Sequence, residues 1–125
     1  MDAVCGVVVR DNKLLIVRKQ SKWTLPGRKI DEADRKVDKG AEGLYCLARE
    51  FAEGLNGTRI YYGLSEYYRD FEGVSSEHRV RAYRVELDGE VRGVSGEVGE
   101  FAWMKYLDMV SYGLSDTEHK TNHSL

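Results

Sequence analysis

The sequence predicts an α/β domain, and three observations carry that prediction. Val-rich and aromatic-rich segments of strand character lie in both halves of the chain. One central stretch changes to a helical apolar period, and turn residues such as Asp11-Asn12, Asn56-Gly57 and Asp88-Gly89 separate the elements. At 125 residues the chain reads as a single domain, 1–125, large enough to bury a core without disulfide or metal staples.

Residues 3–9 and 13–19 read as a hairpin, because Val-rich segments flank Asp11-Asn12, whose side chains tolerate turn geometry. The acidic front at Asp2 and the break at Arg10-Asp11-Asn12 make the first apolar run a strand rather than a signal peptide. The segment Trp23-Thr24-Leu25-Pro26-Gly27 contains the only proline; Pro26 fixes the backbone, and Gly27 allows close approach to the main chain. Residues 28–40 are highly charged with two isolated apolar positions, which predicts an exposed loop with room for a short helical turn.

The period then changes. Leu44, Leu47, Ala48, Phe51 and Leu55 form the apolar stripe of an amphipathic helix predicted over 41–55 and stopped by Asn56-Gly57. Cys46, Arg49, Glu50 and Glu53 lie off the centre of that stripe. Residues 58–70 and 78–87 read as strands. In the second, the apolar parity switches between Ala82 and Tyr83, which predicts a bulge or a strand covered on both faces. Glu100 to Met104 reads as a further strand and Tyr106 to Leu114 as a short helix. The tail from Ser115 is polar, with His119 and His123 on its surface.

Composition narrows the partners. Lys and Arg number 19 against 21 Asp and Glu, so the formal charge is −2 and no basic stripe is present to grip a nucleic-acid backbone. No apolar window approaches a membrane span. Cys5 and Cys46 sit in apolar patterns far apart, as buried thiols of a reducing compartment do. A cytoplasmic monomer or homodimer is the expectation.

The chemistry concentrates in Ala48-Arg49-Glu50-Phe51-Ala52-Glu53-Gly54. Residues three apart share a helix face, so Glu50 and Glu53 can turn their carboxylates toward one hard cation. A third oxygen ligand would fall one residue later, where the chain has Gly54.

Leu25-Pro26-Gly27, the Arg49-Glu50-Phe51-Ala52-Glu53 helix and the later Glu97 to Trp103 segment together resemble the Nudix hydrolases. That family's signature is a Gly, five residues, a Glu, seven residues, then Arg-Glu-apolar-any-Glu-Glu-any-Gly-apolar. The resemblance implies an α/β/α sandwich with a mixed central sheet. It also implies Mg²⁺- or Mn²⁺-dependent cleavage of a small nucleotide-type diphosphate. By the same resemblance the carbonyl of Gly27, Glu50, Glu53 and Glu97 map onto metal ligands, with Glu100 the rival of Glu97. Glu50, Arg49 and Glu97 map onto the catalytic set, Arg49 orienting the glutamates and within reach of Glu53. Arg69 and Arg81, like Arg79 and Arg84, are candidates for phosphate. Tyr83, with Trp23, Tyr62 and Tyr68, is a candidate for stacking a base.

The departures from the signature are specific. Arg28 stands where a second glycine is usual. Counting back from Arg49 puts the first signature Glu at Ala41, with about seven extra residues within 31–39. Gly54 replaces the second Glu of the final pair, and Asn56 the following Gly. The resemblance therefore leaves two expectations: a hydrolase of lowered activity, or a catalytically silent module that binds a nucleotide or a protein.

Overall fold

The computed structural model describes residues 2–37, 43–72 and 78–105. In chain order its elements are β1 (Ala3–Val7), β2 (Val9–Arg10), β3 (Lys13–Lys19), β4 (Lys22–Thr24), β5 (Gly27–Lys29), α1 (Glu32–Val37) and α2 (Leu44–Gly54). Then come β6 (Arg59–Ile60), a single 3-10 turn at Tyr62–Leu64, β7 (Glu66–Glu72), β8 (Arg79–Arg84), β9 (Leu87–Asp88) and β10 (Val98–Met104).

The first sheet is mixed, in the order β5-β1-β8-β7. β1 runs parallel to β8 and antiparallel to β5, and β7 returns antiparallel on β8. All five β1 residues are buried, as a central strand with a parallel neighbour requires. Val4 enters the core under α2, whereas Cys5 and Val7 join a second apolar cluster with Leu14, Ile16, Leu25, Ala82 and Met104. A second sheet is ordered β10-β3-β2, with β4 also on β3, and β6 pairs with β9.

The first hairpin differs from expectation in its partners. Asp11 and Asn12 take positive φ (52° and 61°), as a tight two-residue turn demands, but they join β3 to the two-residue β2. β1 leaves this ribbon at Val8 for the mixed sheet, because both of its faces have apolar partners to bury against.

α2 forms where the stripe predicts. Leu44, Leu47, Phe51 and Leu55 are buried against Val4, Val8, Leu15, Val17 and Tyr83. Fully burying a side chain such as Phe51 contributes about 2–3 kcal/mol. Asn56 and Gly57 adopt positive φ (51° and 80°), and Gly57 N–H donates to Ala52 O at 2.8 Å, ending the helix as expected. Ala41 and Glu42, the expected first residues of the helix, lie outside the described residues.

Two segments correct the sequence reading. Gly27–Lys29 is not loop but strand, paired with β1, and the charged stretch after it contains α1. The strand expected over 58–70 is split by the 3-10 turn into β6 and β7. The parity switch in β8 meets the second alternative, a strand covered on both faces, since Ala82 joins one apolar cluster and Tyr83 the other, and a bulge lies opposite it on β7. Tyr67 faces Tyr83 and Arg69 faces Ala82, so Tyr68 on β7 is the extra residue, while Ala82 and Tyr83 are both buried. The helix expected at 106–114 and the tail histidines lie outside the described residues.

Candidate active site

Three elements converge on Glu50, and one loop is bonded to the end of its helix. β3 ends at Lys19, just before a turn in which Gln20 and Ser21 both have positive φ. β5 brings Gly27 and Arg28, held in register by the pairing of Gly27 with Cys5 and of Arg28 with Val4. α2 carries Glu50 and Glu53 one turn apart. The loop that leads into β10 carries Glu97.

Glu50 is the buried member, 7% exposed. Its Oε1 is ion-paired with Lys19 Nζ, and its Oε2 lies 3.8 Å from Arg28 Nε. The same Lys19 Nζ donates to the Gly27 carbonyl at 2.7 Å. Two oxygens expected to hold a metal, Gly27 O and Glu50 Oε1, therefore converge on one position filled by an ammonium group. Arg28 Nη1 donates to Glu53 Oε2 at 2.8 Å, and Glu53 is otherwise open to solvent. That bond and the Arg28 charge hold the Glu53 carboxyl below the usual carboxylate range. Burial alone would pull the Arg28 guanidinium down, but the Glu53 bond and the charges of Glu50 and Glu53 outweigh it and raise it.

Gly54 faces this group. A Cβ built there would lie 3.5 Å from Glu50 Oε1 but only 2.9 Å from a methyl of Val98. The position expected for a third carboxylate thus points toward Glu50 and has little room for a side chain.

Arg49 turns to α1 rather than to Glu53. Its Nη2 lies 3.4 Å from both Asp31 Oδ2 and Asp34 Oδ2, and it is Arg28 that bonds to Glu53. Asp34 is fully buried. Asp34 N–H donates to Asp31 Oδ1 at 2.9 Å and Asp31 N–H to Asp34 Oδ2 at 3.3 Å, a reciprocal cap on α1. The Asp34 N–H is also the main cause of a lowered Asp31 pKa. Counting back from Arg49 misses Asp34. Counted forward from Arg28, the second-glycine position, five residues precede Asp34, so it occupies the signature's first carboxylate position and the extra residues follow it. Cys46 packs nearby, and burial, reinforced by a hydrogen bond to Asp34 and that residue's charge, pushes its thiol up to about 12.

The Glu97 loop is pinned to the end of α2. Ser95 Oγ donates to Glu53 O at 2.6 Å, Ser95 N–H to Gly54 O at 2.9 Å, and Asn56 N–H to Ser95 Oγ at 3.0 Å. Gly96 takes φ +60°, and a Cβ there would approach Glu53 O at 3.1 Å. Exposed Glu97 is thereby carried beside the turn bearing Glu53, whereas Glu100 is paired with Arg18 at 2.8 Å on the strand.

The expected substrate residues lie elsewhere. Arg81 is held by both oxygens of Asp70, at 2.9 and 3.1 Å, and sits over the Tyr67 ring at 5.2 Å. Tyr83 is a core residue beneath α2, so its ring offers no stacking face to a ligand. Arg69 is half-buried beside the β7 bulge. A cavity of about 300 Å³ lined by Arg10, Asp11, Lys13, Glu90, Val91 and Trp103 includes none of the expected site residues.

The residues near Glu50 do not fit a divalent ion as they stand. Among the described residues no group of three or more His, Cys, Asp or Glu could hold a metal. Each of the two helical carboxylates already has a side-chain cation.

Comparison with known proteins bears on this arrangement. The family described as NUDIX domain matches residues 1–123. No curated protein matches the chain. Among solved structures, the chain is similar to the ORF135 protein of E. coli (TM-score 0.71, 20% identity, 98% of this chain and 85% of that one). It is similar to the NUDIX domain of Shewanella oneidensis NrtR complexed with ADP ribose (TM-score 0.70, 18% identity, 98% and 83% covered). A C. elegans Ap4A hydrolase aligns with TM-score 0.67 and 16% identity, over 98% and 92% of the two chains.

Proposed function

The chain belongs to the Nudix family of diphosphate hydrolases, and on that premise we propose that it cleaves a nucleotide-type diphosphate at the Glu50 site. The observation that carries this reading is the convergence of Glu50 and the Gly27 carbonyl on a single cation position. The similarity to proteins named for Ap4A hydrolysis and for a complex with ADP ribose supports a small nucleotide-linked substrate.

The chemistry follows from charge. A diphosphate resists attack because anionic oxygens shield its phosphorus, so cations must face it before water can approach. Arg28 offers a planar guanidinium suited to two phosphate oxygens, and Lys19 a point charge. Glu97, exposed beside the Glu53 turn, is the candidate base. Water adds to one phosphorus, its proton passes to the carboxylate, and the bridging P–O bond breaks with its electron pair on the departing phosphate. Arg49 is a positioning residue that fixes α2 against Asp34.

Nudix enzymes generally use a divalent metal, Mg²⁺ or Mn²⁺, and the residues around Glu50 do not fit one while Lys19 and Arg28 hold the site's carboxylates. Such an ion would have to compete with Lys19 for Glu50, which accords with lowered activity. Among the described residues no helix is long and apolar enough to cross a membrane. We place the protein in the cytoplasm, acting on a small molecule rather than on nucleic acid, as a monomer or homodimer.

The test is a panel of ADP ribose, dinucleoside polyphosphates and nucleoside triphosphates, each with Mg²⁺, with Mn²⁺ and with a chelator. Turnover by the wild-type chain should fall at least ~100-fold in Glu50→Gln and in Glu97→Gln. Equal rates in all three proteins would refute the hydrolase reading. The charge-satisfied state of Glu50 and Glu53 favours a second reading, a module that binds the nucleotide without hydrolysing it. Saturable binding without turnover across the panel would select that one.

A further inference from the structure

Resting on the reading of this site as a diphosphate site, we propose that Lys19 and Arg28 are tethered counter-cations that stand in for a divalent metal. Four side chains make the charge count. Glu50 and Glu53 contribute two negative charges, and Lys19 and Arg28 contribute two positive charges at contact distance. A site with three clustered carboxylates needs an ion to neutralise it; here the two helical glutamates are neutralised without any.

Two sequence changes work in the same direction. Gly54 removes a carboxylate from the position that faces Glu50. Arg28 adds a cation where the signature has a glycine, and its guanidinium spans both remaining glutamates. Lys19 completes the set at the metal's own expected position, bonding Gly27 O and Glu50 together. Its placement is fixed by the tight turn that follows it and by its register opposite Lys22. A dication entering here meets two like charges and must displace at least one of them. A diphosphate, by contrast, meets a guanidinium and an ammonium already in place and shares them with Glu50 and Glu53.

The test reads binding and not turnover, so a failure of the hydrolase reading leaves it intact. Mn²⁺ is titrated by electron paramagnetic resonance into the wild-type chain, Arg28→Gly, Lys19→Met, the double variant, and the double variant carrying Glu50→Gln. Wild type should bind Mn²⁺ more weakly than about 1 mM, and the double variant at least about tenfold more tightly. Glu50→Gln should abolish that gain. Arg28→Gly alone keeps the test decisive where Lys19→Met fails to fold, since Arg28 is partly exposed and should still give a measurable gain. In parallel, inorganic diphosphate is titrated calorimetrically with chelator present. Binding should persist, and weaken about tenfold or more in Arg28→Gly. Micromolar Mn²⁺ binding by wild type that Glu50→Gln removes and the cation variants leave unchanged would overturn the proposal. So would loss of diphosphate binding on adding chelator.

Discussion

Arg49 on α2 reaches the fully buried carboxylate of Asp34 on α1 at 3.4 Å, and through it the two helices are tied together. Asp34 also accepts from Asp31 N–H and is paired with Arg49 on the same oxygen, so one side chain caps α1 and anchors α2. Among the described residues, replacing Asp34 by Ala leaves the half-buried Arg49 with exposed Asp31 as its remaining ion-pair partner. The expected loss is about 2–3 kcal/mol of stability. Urea unfolding of Asp34→Ala, Arg49→Met and the double variant measures it. The second mutation should cost much less in the presence of the first, and strictly additive costs would mean that the pair does not act as a unit.

This relationship shows where sequence reading stops. The α2 stripe was legible because Leu44, Leu47, Phe51 and Leu55 share one face at local spacing, and the Asn56-Gly57 stop because those residues take positive φ readily. Asp34 was obscured by the extra residues between it and Arg49, which shift any count made from the helix backwards. A count from Arg28, and the Asp-any-any-Asp spacing of its cap with Asp31, were the available signals. Lys19 carried no local signal at all. Its bond to Glu50 joins a strand end to a helix, a contact created only when β3 and α2 pack on the same core.

The thiol of Cys46 gives a pH prediction. Its ordinary pKa of 9.0 is raised to about 12 in the folded chain, chiefly by burial. Folding therefore favours the protonated thiol. Its contribution is fully present below pH 9 and is lost as pH rises toward 12, because the unfolded chain ionises first. The slope from this group is at most about 1.4 kcal/mol per pH unit. Urea midpoints between about pH 8 and 10, about one unit on either side of the ordinary thiol pKa, should fall more steeply for the wild-type chain than for Cys46→Ala. Parallel slopes would show that the buried thiol is not the group responsible.

Gly27 should tolerate substitution worse than any other site residue. A Cβ there would run into the Val4 carbonyl oxygen, a backbone atom of the central strand that has no rotamer by which to yield. Gly27→Ala must push β5 away from β1, moving the carbonyl that Lys19 bonds. Destabilisation of about 2–4 kcal/mol is expected, read as a drop in melting temperature, with weaker binding of inorganic diphosphate in the folded fraction.

Gly54 differs from Gly27 in what it would strike, and so in whether the damage can be repaired. The obstacle is a Val98 methyl at 2.9 Å, and a side chain can be shortened where a strand backbone cannot. Gly54→Ala gains up to about 1 kcal/mol of helix propensity but loses about 1–3 kcal/mol to overpacking, for a net destabilisation. Pairing it with Val98→Ala should recover part of that loss, less the apolar contact given up. Gly54→Glu in the Val98→Ala background then points a third carboxylate toward Glu50. Thermal unfolding of the set measures the repair. A Gly54→Ala chain no less stable than wild type would mean that Val98 already moves aside, leaving room for an acidic side chain where this sequence has none.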